Sequence, residues 1–127
     1  TNMHRKVKID TGEKKWAPYS PGISVRDHIW LSGQIGVDSG GDIESQMKGT
    51  LGKIDILLEA ANSSKKDLVK VTILMTDIGN YGIINKIYGE WLEDVLAPSR
   101  AAYEVPNLPA NALVEIVCEA FRGLEVE

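Results

Sequence analysis

Two ionisable side chains in the last third of the chain carry the strongest chemical signal: Arg100 and, fifteen residues on, Glu115. Arg100 follows Ala97-Pro98-Ser99. Pro98 cannot continue a helix and biases Ala97 towards extended geometry, so the arginine stands at the mouth of a short strand-like run, Ala101 to Val105. Pro106-Asn107-Leu108-Pro109 then turns the chain into an apolar strand, Leu113 to Phe121. Glu115 sits inside it among Leu113, Val114, Ile116, Val117 and Cys118. A carboxylate in such a run needs a partner, a neutral state or a chemical task, because an unpaired buried charge is expensive.

The elements that must position these groups follow from periodicity. Lys6 to Asp10 alternates weakly and reads as an edge strand, followed by a loop from Thr11 to Pro21 that holds Trp16 and Tyr19. Gly22 to Arg26 and His28 to Ile35 read as strands joined tightly at Arg26-Asp27. A turn at Asp38 to Asp42 precedes a helix with apolar residues at Ile43, Met47, Leu51, Ile54, Leu58 and Ala61, capped by Asp42 or Ser39. Gly49 and Gly52 each cost that helix up to about 1 kcal/mol relative to alanine, and close packing against a neighbour is the expected compensation. Leu68 to Met75 is a β-branched, alternating strand. Tyr81, Ile84, Tyr88, Trp91 or Leu92, and Val95 mark a second amphipathic helix ending near Val95.

The expected order is therefore β-β-β-α-β-α-β-β in one domain, residues 1–127, with two helices covering one face of a six-stranded sheet. The last strand is apolar on both faces: Leu113, Val117 and Phe121 on one, Val114, Ile116, Cys118 and Ala120 on the other. The chain has nothing left to cover the second face, so a homo-oligomer with sheets packed together is expected.

Charge and composition narrow the chemistry. With 14 Lys+Arg against 18 Asp+Glu the net charge is −4, which weighs against phosphate-driven RNA or DNA binding. Two histidines, His4 and His28, and the single Cys118 make a zinc site a poor expectation, and neither a metal nor a cofactor is expected. Cys118 cannot form an internal disulfide and reads as a small core residue in a reduced, cytoplasmic setting. No apolar run approaches the roughly 20 residues of a membrane span. Thr1 to Lys8 carries charge without a hydrophobic signal region behind it. Gly33-x-x-Gly36 and Gly40-Gly41 lack the spacing and lysine of a nucleotide-binding loop.

Ala17-Pro18-Tyr19-Ser20, Leu31-Ser32-Gly33-Gln34-Ile35, Asn85-x-x-Tyr88, Pro98-x-Arg100 and Leu108-Pro109-x5-Glu115, in this order and spacing, resemble the signature of the Rid proteins. These are reactive-intermediate (enamine/imine) deaminases, also catalogued as YjgF or L-PSP endoribonuclease, and the resemblance runs from about Trp16 to the C-terminal end. It implies a chorismate-mutase-like α+β fold with a mixed sheet, assembled as a homotrimer with clefts between subunits. It also implies cofactor-free hydrolysis of small 2-imino acids, such as 2-aminoacrylate/2-iminopropanoate and 2-iminobutanoate, to 2-keto acids and ammonia.

By the same resemblance Arg100 binds the substrate carboxylate, which suits a planar guanidinium that forms two parallel hydrogen bonds. Glu115 positions or activates the attacking water, with Glu119 on the same strand face as a weaker candidate. Tyr19 supplies a polar tip on an apolar cleft wall, Ser32 supports the arginine, Gly33 lets backbone approach the ligand, and Asn85 lines or braces the cleft. The chain departs from the pattern at Ala102, where many deaminases carry cysteine, and at Ala101, which lacks a hydroxyl often found beside the arginine. Two other functions fit the resemblance: an endoribonuclease that inhibits translation, and a non-catalytic keto-acid-binding regulator.

Overall fold

The structure, a computed structural model, describes residues 4–13 and 17–127. Trp16, read as part of the first loop, lies outside the described residues. Six strands form one sheet: β1 (Val7–Ile9), β2 (Gly22–Val25), β3 (His28–Ile35), β4 (Leu68–Met75), β5 (Ser99–Glu104) and β6 (Val114–Phe121). Helix α1 (Ile43–Ala60) links β3 to β4, and α2 (Tyr81–Trp91) links β4 to β5. The spatial order is β1-β2-β3-β6-β4-β5. Only the β4/β5 pair is parallel, as a helical crossover demands, so the sheet is mixed. The element order is the one expected from periodicity.

Both helices lie on one face. The buried residues Val114, Ile116, Cys118 and Ala120 alternate along β6 and meet Ile29 and Leu31 of β3 and Val71, Ile73 and Met75 of β4. Onto them pack Met47, Leu51, Ile54 and Leu58 of α1 and Ile84 and Ile87 of α2. Each large aliphatic side chain so buried contributes roughly 1.5–3 kcal/mol.

Asp42 starts α1, accepting a hydrogen bond from the Ser45 N–H at 3.0 Å. Ser39, the other candidate cap, lies against Gly49 instead, where a Cβ would overlap its hydroxyl. Close packing therefore explains Gly49. It does not explain Gly52, which has nothing within 4 Å of where a Cβ would stand.

Helix α2 stops at Trp91, four residues before the expected Val95. Glu93 and Asp94 place negative charge at the negative end of the helix, which disfavours another turn. Leu92 and Val95 still pack on the core from the following turn, so the apolar spacing outlasts the helix.

The opposite face of the sheet has no helix. There Glu115, Val117 and Glu119 are half-buried, while Trp30 and Phe121 are 39% and 42% exposed. Val69 is exposed although Val71, Ile73 and Met75 at alternate positions of β4 are buried, and the register shifts beside it, between Leu68 and Lys70.

Candidate functional site

Arg100 lies inside β5 rather than ahead of it, opposite Val71 in the parallel register. That register puts its side chain on the helix-covered face, at the sheet edge, under the first turns of α2. Its Nη1 donates to Asn85 Oδ1 at 2.7 Å and its Nη2 to Tyr81 Oη at 2.9 Å. The guanidinium carbon stands 5.6 Å from the Tyr81 ring centroid and 5.3 Å from that of Tyr88, within cation–π range. Among the described residues no carboxylate comes within ion-pair distance of it. Asn85, expected to line or brace the cleft, thus braces the arginine.

Tyr81 and Tyr88 were legible only as apolar stripe positions and a motif residue. Their spacing with Asn85, i, i+4 and i+7, puts all three on one helical face. The Tyr88 ring is buried, its hydroxyl has no hydrogen-bond partner among the described residues, and burial pushes its phenol up to about 12. It serves as a neutral wall under the guanidinium.

Glu115 pairs with Leu74 in the β4/β6 register and projects from the bare face. Next to it, Leu31 pairs with Cys118 but Gln34 with Ile116, so β3 carries one extra residue, a bulge that contains Ser32 and Gly33. A Cβ on Gly33 would stand 2.5 Å from Glu115 Oε2 and 2.8 Å from its Cδ. The glycine therefore makes room for the carboxylate of Glu115, a more specific use than leaving room for a ligand. Burial raises the Glu115 carboxyl above the ordinary carboxylate value. No hydrogen bond or ion pair to it is formed by the described residues.

Ser32 differs from expectation. Its hydroxyl donates to the Ser20 carbonyl at 2.6 Å and its N–H to the Pro21 carbonyl at 2.9 Å. Rather than supporting Arg100, it clamps the loop that carries Tyr19, which is 46% exposed. Glu119 is already engaged: its Oε2 lies 3.0 Å from His28 Nε2, beside the His28–Trp30 stack.

Within one chain, then, Ser32, Gly33 and Glu115 come together, and Arg100 joins Asn85 and Tyr81, but the two groups lie on opposite faces of a single-layer sheet. Arg100 is level with Val71 and Glu115 with Leu74, three register positions along β4. A shallow groove of about 210 Å³, lined by Thr11, Glu13, Gln34, Lys53, Ile56 and Leu57, contains neither. Among the described residues no cluster of three His, Cys, Asp or Glu could hold a metal, and no helix is long and apolar enough to cross a membrane.

The same fold recurs in known proteins. Residues 12–122 match the family described as Endoribonuclease L-PSP. A 2-iminobutanoate/2-iminopropanoate deaminase from Mus musculus is 37% identical over 112 residues, 84% of this chain and 82% of that protein. A RutC family protein from Pyrococcus abyssi is 35% identical over 122 residues, 91% of this chain and 95% of the relative. Among solved structures, YyfA from Yersinia pestis, a protein of unknown function of the conserved Rid family, superposes with TM-score 0.86 at 36% identity, covering 92% of this chain and 99% of that one. E. coli TdcF with bound serine superposes with TM-score 0.88 at 27% identity, covering 93% and 100%. With the family match spanning β2 to β6, both helices and every motif residue from Tyr19 to Glu115, the chain belongs to the Rid, or L-PSP, family.

Proposed function

We propose that this protein hydrolyses small 2-imino acids to 2-keto acids and ammonia, in clefts formed between subunits of a homotrimer. The observation that carries the reading is an arginine held by neutral acceptors and aromatic faces with no acid opposite it among the described residues. Such a guanidinium is pre-oriented and electrostatically unsatisfied, the state that suits capture of a ligand carboxylate. The relatives named for imine deamination support the substrate class. The bound serine of TdcF, a small molecule with a carboxylate and an adjacent nitrogen, fits the same binding chemistry.

The opposite placement of Arg100 and Glu115 gives the assembly its role. One chain cannot bring them to one substrate, so the arginine of one subunit serves with the glutamate on the bare face of its neighbour. The protonated imine, held by its carboxylate on Arg100, presents C2 to a water. Glu115 takes one proton as the water oxygen bonds to C2, forming a carbinolamine. The same proton then goes to nitrogen, the C–N bond breaks as ammonia leaves, and Glu115 takes the remaining hydroxyl proton as the ketone forms, then passes it to ammonia or water. A carboxyl raised by partial burial is better matched to this transfer at neutral pH than an ordinary glutamate. Tyr19, displayed by the loop that Ser32 clamps, closes the cleft wall. The endoribonuclease reading gains nothing from a net charge of −4.

Complementation between variants tests the scheme. Arg100→Ala and Glu115→Gln each lower ammonia release from an imine generated in situ at least about 100-fold. Co-refolded one to one, the mixed oligomer regains about a quarter of native activity, because that share of clefts receives both intact residues. No recovery in an oligomer shown by native mass spectrometry to be mixed would overturn the shared site.

A further inference from the structure

Tyr81 is the first residue of α2, and its hydroxyl oxygen accepts a hydrogen bond from Arg100 Nη2 at 2.9 Å. A phenol that accepts from a guanidinium keeps its own proton for another partner, since guanidinium nitrogens accept nothing. No acceptor for that proton exists among the described residues, and Tyr81 is 40% exposed. Arg100 has five N–H donors, of which Asn85 and Tyr81 take two, leaving three.

Among the described residues no carboxylate is bonded to Arg100 or to Tyr81. The first turn of α2 carries no acidic residue, so no acid of that turn opposes the guanidinium. The acids flanking this corner are committed: Glu104 accepts from the Ile78 N–H and Asp77 from the Gly79 N–H, each at 2.8 Å. An exposed O–H donor and three free N–H donors therefore share one spot, with no carboxylate bonded to either side chain among the described residues.

We propose that Tyr81 is a carboxylate-binding residue of the site, its hydroxyl donating to one ligand oxygen while Arg100 donates to the other. The proposal rests on the reading above that Arg100 holds the substrate carboxylate, and it makes the clamp a mixed phenol–guanidinium pair. Such a clamp suits a flat carboxylate on a small carbon chain, whose two oxygens reach both donors at once. Asn85 has the separate task of fixing the guanidinium from its other nitrogen.

Tyr81→Phe keeps the ring against Arg100 and removes only the hydroxyl, so it tests the donor alone. Calorimetric titration with 2-oxobutanoate is expected to show binding weakened about tenfold, the size of one hydrogen bond to a charged group. The loss falls on KM rather than kcat in imine turnover. The uncharged 2-oxobutanamide binds native and variant equally. In the ligand-free variant the Arg100 Nε–H resonance keeps its native linewidth, because Asn85 and the ring still hold the side chain. Unchanged 2-oxobutanoate affinity, no binding by the native protein, or an Arg100 resonance sharpened by new mobility would each overturn the donor role. Native binding without imine turnover would instead sink the deaminase reading and leave the Tyr81 comparison to be decided by affinity.

Discussion

Glu115 and Glu119 project from the same face of β6, four residues apart, into opposite surroundings. Across from Glu119 the antiparallel neighbour β3 supplies an imidazole: His28 Nε2 lies 3.0 Å away, its ring stacked 3.7 Å from that of Trp30 and 5.7 Å from that of Phe121. Across from Glu115 the same strand supplies a bulge and a glycine, and nothing that donates. One end of the face satisfies its carboxylate with a side chain. The other end removes the side chain and leaves the carboxylate a burial penalty. Strand neighbours of Glu115 therefore decide its chemistry more than its own apolar run does.

The largest expected effect comes from making Glu115 unable to ionise. Glu115→Gln keeps shape and 2-oxobutanoate binding but slows hydrolysis about 100-fold, the usual scale for a lost proton acceptor. Loss of binding in place of slowed chemistry would make Glu115 structural. Stability supplies an independent check with the opposite sign. Burial raises the folded-state value of the Glu115 carboxyl above its unfolded value. Folding then binds that proton more tightly, a stabilisation present below the ordinary carboxylate range near pH ~4.3 and lost as pH rises through the folded value. Glutamine has no proton to lose. The Tm of Glu115→Gln is thus expected to gain on native from pH 4 to pH 7, and a flat difference would show that Glu115 is not desolvated. On the proposed mechanism the ionised form acts, so native kcat/KM is expected to rise over the same window.

How much of this was legible in the sequence differs along the chain. The element order, a cap at Asp42 or Ser39 and the inward set Val114, Ile116, Cys118 and Ala120 follow from period and turn chemistry, which are local. Arg100 and Glu115 stood out as residues for the same reason. Their placement on opposite faces did not, because it depends on the parallel register Val71↔Arg100 and the antiparallel register Leu74↔Glu115. Register also hid the His28 partner of Glu119, which lies 91 residues away in the chain. Tyr81 reads as one more apolar stripe position because an aromatic at that spacing ordinarily faces a core, whereas here the side chain is exposed and both ring and hydroxyl face Arg100. Ser32 was assigned to the arginine by analogy, whereas its hydroxyl is taken by a carbonyl twelve residues back.

Two glycines in and just after β3 sharpen the contrast at the next scale down. A Cβ on Gly33 meets the flexible end of Glu115, while one on Gly36 meets backbone of α1 at Gln46 and Thr50. Gly33→Ala is expected to fold and to displace the carboxylate, lowering kcat about tenfold. Gly36→Ala forces a helix away from the sheet and is expected to cost about 1–3 kcal/mol in urea unfolding. The pair separates a glycine kept for chemistry from one kept for packing. Equal stability losses in both variants would erase that distinction.

The smallest effect belongs to the satisfied end. The His28 and Glu119 side chains are 33% and 34% exposed, so water screens their attraction. Glu119→Gln can still accept from the imidazole, and the change in unfolding free energy is expected to stay within about 1 kcal/mol, the range for partly exposed ion pairs. Since Glu119 touches none of the groups around Arg100 or Glu115, imine turnover is expected to remain within twofold of native at pH 7, read by the same ammonia assay. A 100-fold loss there would reverse the comparison between the two glutamates: the paired carboxylate would be the one that handles the water, and the bare one over Gly33 would be the bystander.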